Sequence, residues 1–175
     1  MSSLEEKHSQ DKLCEFKDNL SILRETYFFS SLPLDVLKVL AYLCVRENFR
    51  KGDFLFTQGE DDGQAITIIK GSAALYHQME DQEIFIKHFA EGSFLGGLSL
   101  TGKTQRLFSL KVESDMTALI LTREKFNTAM KEFQVHLPRI LNSLVQQITT
   151  WEERALIYSL EHHETVYGEM GVSLL

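Results

Sequence analysis

The chain has 175 residues, of which 43% are hydrophobic and 25% charged, and its formal net charge is −7 at pH 7. That length suits one domain with an appended helix or two, and that balance suits a globular protein with a real core. An acidic chain without a basic cluster is a poor ligand for phosphate backbones, which argues against direct DNA binding. No apolar run approaches the roughly 18–20 residues of a membrane span, and the charged start "MSSLEEKHSQDKLCEF" lacks a secretory apolar segment. The expectation is a cytoplasmic protein without membrane association. Cys14 and Cys44 both sit among helix-like apolar residues and read as reduced core thiols, too few to hold an iron–sulfur cluster unaided.

Leu13, Phe16, Leu20, Leu23 and Tyr27 recur at three- and four-residue intervals, which predicts a helix over about 11–29. "SSLPLDVLKVLAYLCVREN" predicts a second helix, with Ser31 as cap, Pro33 in the first turn, and Leu37, Leu40 and Leu43 on one face. From Phe49 to about Thr122 the pattern changes to short β-like runs: "DFLFTQ", "QAITIIKG", "SAALYHQM", "EIFIKHFA", "RLFSLKVES" and "MTALILT". Gly52, Gly59, "DDG" at 61–63, Gly71 and Gly92 punctuate them, as expected of a sandwich or jelly roll.

The helical period returns after Leu121. Thr122 is placed to cap "REKFNTAMKEF", and a long helix follows with Pro138 in its first turn. Leu141, Leu144, Ile148, Trp151, Ala155, Tyr158 and His162 alternate spacings of three and four, a heptad seam of about three repeats. The seam fits a homodimer contact, with Ile140 and Leu156 beside it to serve the barrel; a helix packed on its own barrel is the other reading. The division is thus an N-terminal helical segment (1–30), a β-roll with its flanking helices (31–133), a long closing helix (134–163) and a tail (164–175). The fold class is mainly β, a double-stranded β-helix (jelly roll) with N-terminal helices and a long C-terminal helix.

The stretch "GSFLGGLSLTGKTQRLFSL", Gly92–Leu110, reads as a tight loop, one helical turn, a second loop and a strand. Its glycines let backbone amides approach an anion, and Arg106 brings a positive charge nearby. With "FRKGDFLFTQGEDDGQAITIIKGSAALY" and its turn glycines Gly52, Gly59 and Gly71, this segment resembles the cyclic-nucleotide-binding domain of the catabolite activator family. The likeness runs over roughly Leu23–Leu160. In that family the cassette reads Gly-x-Phe-x-Gly-Glu-x-Ala-Leu, then a loop, then Arg-Ala-Ala-Thr/Ser.

The resemblance implies a phosphate cradle of backbone amides at Gly96, Gly97 and Leu98, with Arg106 pairing a phosphate oxygen. It places the family's ribose-binding glutamate at Gly97, where no carboxylate stands, and its two alanines at Leu107 and Phe108. Losing a hydrogen bond to a charged partner costs about 1.5–3 kcal/mol. The larger side chains at 107 and 108 narrow the subsite if they face it, and alternation in a strand lets at most one do so beside Arg106. Ser99 and Ser109 can donate to an anion or simply fill space. Arg106 either meets an anion or ties to a surface acid. By family spacing Trp151 falls near the nucleotide base, where it can stack; it also sits on the seam as an interface aromatic.

A metal-dependent cupin needs clustered histidines, and His77 and His88 stand on separate strands while the His162–His163 pair diverges around its helix. A haem ligand has only His77 as candidate. No catalytic triad spacing, metal site or cofactor is expected, and the chain reads as a non-enzyme. A DNA-binding helix-turn-helix unit would need some sixty residues beyond the long helix, and the sequence stops almost at once. The expectation is a regulatory module that takes an anionic or nucleotide-like small molecule, or a partner protein, rather than a standard cyclic nucleotide. A cAMP or cGMP sensor that tolerates the lost acid is the alternative.

Overall fold

Gly71 decides the shape of the central strands. Its φ is +93°, and a Cβ there would lie 2.7 Å from the carbonyl oxygen of Asp115, so only glycine fits the bend. The chain therefore turns without leaving the sheet. The runs "QAITIIKG" and "SAALYHQM", expected as two strands, form one strand, β3 (Gln64–Met79), whose register slips around Lys70 and Ser72. Its partner β6 (Ser109–Thr122) likewise fuses the last two expected runs.

The computed structural model describes residues 3–80 and 82–162; the tail at 164–175 lies outside them. Helices α1 (Ser3–Glu25) and α2 (Leu34–Leu43) precede β1 (Val45–Phe49) and β2 (Phe54–Phe56); β3 and β4 (Gln82–Phe89) lead to β5 (Phe94–Leu95) and the short α3 (Gly97–Thr101). After β6 come α4 (Arg123–Glu132), a 3-10 turn at Gln134–His136, and α5 (Leu137–His162). All pairings are antiparallel, in the order β1-β6-β3-β4, with β2 on β6 and β5 on β3. The result is mainly β with flanking helices and a long closing helix.

Three local expectations change. Val45–Phe49 is a strand paired with Thr117 and its neighbours, because cross-strand pairing outweighs the helical run that precedes it. Pro33, not Ser31, occupies the N-cap of α2, and no side chain caps that helix. Cys14 is exposed, whereas Cys44 is buried and its thiol is pushed up to about 12 by burial. A thiol reagent at pH 8 is therefore expected to modify one cysteine of the folded chain quickly and the second only in denaturant. Two fast equivalents would refute that assignment.

The core has two parts. Phe56, Ile66, Ile68, Leu110, Val112 and Met116 fill the roll. Phe28, Phe29, Val36, Leu40, Phe126, Met130 and Ile140 join the helices to its outer face. Thr122 caps α4 as expected, its hydroxyl accepting from the Lys125 amide at 3.4 Å. On α5, Ile140 is buried and Arg139 donates to the Ser31 carbonyl at 2.7 Å, while Leu156, Leu141, Trp151 and Tyr158 are exposed. At the opposite edge, β4 exposes Ile84, Phe85 and Ile86. Leu75 faces Lys87 and Tyr76 faces Phe85, which leaves Ile86 unmatched, a bulge on the edge strand.

Candidate functional site

The cassette is set by β5, where Leu95 pairs with Ile66 and Phe94 with Thr67 before the chain swings into α3. The swing occurs at Gly96, at φ +85°, and a Cβ there would lie 2.4 Å from the Gln64 carbonyl oxygen and 2.8 Å from Nη1 of Arg106. Gly96 and the Arg106 guanidinium thus lie against each other. Backbone bonds fix the other side: the Arg106 amide donates to the Glu60 carbonyl and the Gly59 amide to the Arg106 carbonyl, each at 2.8 Å.

The Arg106 guanidinium lies over the Phe56 ring, 4.0 Å from carbon to centroid. Its Nη2 donates to both oxygens of Asp62, at 2.8 and 2.9 Å, and to the Gln64 carbonyl at 2.6 Å. The two side chains are 9% and 13% exposed. This is a largely buried ion pair, in which the carboxylate neutralises a cation that water reaches little. Nε of Arg106 is also buried and has no hydrogen-bond partner among the described residues. Arg106 thus has an acid as partner, one that is part-buried rather than on the open surface.

Gly97, the position of the missing glutamate, faces inward. A Cβ there would approach Cδ2 of Phe28 to 2.9 Å and Cε1 of Phe94 to 3.1 Å. Phe28 is fully buried, with ring centroids 4.8 Å from Phe29, 5.5 Å from Phe94 and 6.5 Å from Phe126. The space a side chain needs at 97 is therefore taken by Phe28, from the turn after α1, and Phe94 of β5.

The remaining predicted residues divide. Ser99 and Ser109 are buried fillers with internal partners: the Ser99 hydroxyl lies 3.2 Å from that of Thr104, and the Ser109 hydroxyl accepts from the Gln58 amide at 2.9 Å. Leu98 is exposed, and Leu107 is 71% exposed, so Leu107 does not fill the subsite. Phe108 is half-buried and packs edge-on against His77. Trp151 is 58% exposed on α5 and forms no ring stack or hydrogen bond among the described residues. The groups that meet Arg106 and Gly97 are Asp62 and Phe28. Sequence reading took "DDG" as turn punctuation and Phe28 as part of a helix; the adjacent acids ahead of an arginine were the available signal.

A second ion pair lies beside the first. Arg123 forks onto Asp61, with Nη1 donating to Oδ2 at 3.0 Å and Nη2 to Oδ1. Its Nε donates to the Ser99 carbonyl at 2.6 Å. That hydrogen-bonded guanidinium holds the Asp61 carboxyl below the usual carboxylate range, and the Asp61 carboxylate pushes Arg123 up in turn. Among the described residues no three His, Cys, Asp or Glu side chains gather as a metal site, and no helix is long and apolar enough to cross a membrane. His88 pairs instead with Glu113, at 2.7 Å.

The chain is 26% identical over 137 residues to cGMP-dependent protein kinase 2 of Homo sapiens, covering 77% of this chain and 18% of that protein. It thus spans about a fifth of the length of the curated relatives it matches first. Among solved structures, a cyclic nucleotide-binding-like protein from Brucella abortus superposes with a TM-score of 0.61 at 25% identity, over 65% of this chain and 98% of that one. The catabolite activator protein of Thermus thermophilus superposes with a TM-score of 0.62 at 20% identity, over 78% and 63%. Residues 46–133, half of the chain, match the cyclic nucleotide-binding domain, and the protein belongs to that family.

Proposed function

We propose that this chain is a non-catalytic regulatory module whose cassette answers to a small anion rather than to a standard cyclic nucleotide. One observation carries the reading: Asp62 already occupies the Arg106 guanidinium with both oxygens. An incoming anion must displace that carboxylate, so its apparent affinity is reduced by the fraction of molecules in which the pair is open. A cyclic nucleotide meets the same barrier, and it finds no acid at Gly97 for its ribose hydroxyl. The exposed row of Leu141, Trp151 and Tyr158 on α5 supports a homodimer, with the closing helix as the element that moves.

The rival reading, a cAMP or cGMP sensor, draws on the similarity to a cGMP-dependent kinase. Calorimetric titration separates the two. The native chain is expected to give no binding heat with either nucleotide at about 1 mM, while Asp62→Asn binds inorganic phosphate at least about tenfold more tightly than the native chain does. Micromolar cAMP or cGMP binding that disappears in Arg106→Ala would establish the rival.

A further inference from the structure

A cleft of about 210 Å³ opens between the end of α1 and the outer face of β3. Its lining includes Ile22, Glu25, Thr26, Thr67, Ile69 and Gly92, none of which belongs to the group around Arg106. Strand alternation decides what β3 presents there: Ile66 and Ile68 fill the roll, so Thr67 between them faces the helices. Thr67 is 5% exposed, yet its hydroxyl makes no hydrogen bond among the described residues. A hydroxyl that deep ordinarily has a partner, and this one lines the cleft.

The rest of the lining is short of donors. The Gly92 amide gives its proton to the Ile68 carbonyl at 2.8 Å, and the Ile68 amide donates to the Ser93 carbonyl at 3.0 Å. Thr26, 9% exposed, donates both its amide and its hydroxyl to the Ile22 carbonyl, at 3.0 and 2.8 Å. The hydroxyl oxygens of Thr26 and Thr67 keep lone pairs and can accept. Glu25 is exposed and has no ion pair among the described residues. It ends a helix of 23 residues, whose last carbonyls bring further partial negative charge. Arg24, the cation of that turn, lines a separate groove with Leu34 and Leu37.

We propose that this cleft binds a small organic cation, an ammonium on a compact apolar body. Its N–H groups reach Thr67, Thr26 and Glu25, and its body rests on Ile22 and Ile69. At roughly 30 Å³ per water, the space suits about seven non-hydrogen atoms, so a nucleotide is too large for it. The site stands apart from the cassette and does not depend on what Arg106 binds.

Three probes of one shape and different charge test it: cyclopentylamine, cyclopentanol and cyclopentanecarboxylate, each titrated at pH 7 while backbone amide NMR shifts are followed. Cyclopentylamine is expected to move the Thr26, Thr67 and Gly92 amides and to saturate near about 1 mM. Cyclopentanol is expected to bind about threefold more weakly, and the carboxylate not at all. Thr67→Val keeps the side chain's shape without the hydroxyl, and is expected to weaken the amine at least about threefold while melting no lower than the native chain. Glu25→Gln is expected to weaken the amine about threefold and to leave cyclopentanol unchanged. Equal affinity for the three probes, no saturation below about 20 mM, or native amine binding in Thr67→Val overturns the proposal. A lower melting temperature in Thr67→Val also overturns it, because the hydroxyl would then be serving the chain itself. If that variant fails to fold, Glu25→Gln and the probe series decide.

Discussion

Arg106→Ala is expected to unfold about 10 °C below the native chain in a calorimetric melt. The reason is the partner left behind. Asp62 is 13% exposed and gives both its oxygens to Arg106. Removing one member of a buried pair strands the other charge, at a cost of about 3–5 kcal/mol. A kcal/mol corresponds to about 2–4 °C in a chain of this size. The alanine also removes the cation stacked on Phe56, a smaller loss of about 1 kcal/mol. Replacing both partners, Arg106→Met with Asp62→Leu, is expected to recover most of the melting temperature, because apolar side chains of similar volume leave no buried charge. If Arg106→Ala melts within about 2 °C of the native chain, the pair is solvated and does not block the site.

Restoring the family's acid with Gly97→Glu is expected to damage the chain rather than mend it. A Cβ at 97 would lie 2.9 Å from Phe28, whose ring is held by Phe29, Phe94 and Phe126. Overpacking of that kind costs about 1–3 kcal/mol, and directing a carboxylate toward an aromatic cluster adds to it. Against this stands a gain of at most about 1 kcal/mol for removing glycine from a helix. The clash is the larger effect. The variant is expected to lose about 3 kcal/mol in a denaturant titration and to gain no calorimetric response to cAMP. A Gly97→Glu chain as stable as the native one that binds cAMP would show that Phe28 yields, and that only the acid was missing.

These two positions mark the boundary of what the sequence shows. Helical and strand periods are local, so the runs from Gln64 to Met79 and from Ser109 to Thr122 were legible, as was the Thr122 cap. Strand ends were harder to place. Gly71 has the φ of a turn residue yet bends a continuous strand, and nothing in the neighbouring residues distinguishes the two uses. The cassette glycines and Arg106 were legible through a motif with fixed spacing. Asp62 and Phe28 were not, because each acts across a tertiary contact: Asp62 lies 44 residues from Arg106. Contacts of that range leave no period in the chain. The heptad on α5 was visible, but which of its residues face out was not: Leu141, Trp151 and Tyr158 are exposed, while Leu144 packs against the core.

The unmatched Ile86 has a consequence for strand pairing along the open edge of β4. A border ribbon displaying Ile84, Phe85 and Ile86 is the kind of surface along which sheets extend into fibrils. The added residue puts the two halves of that ribbon out of phase, so an approaching strand can follow one half but not both. A bulge of that kind works against edge-to-edge pairing along the margin, without any need for a row of like charges.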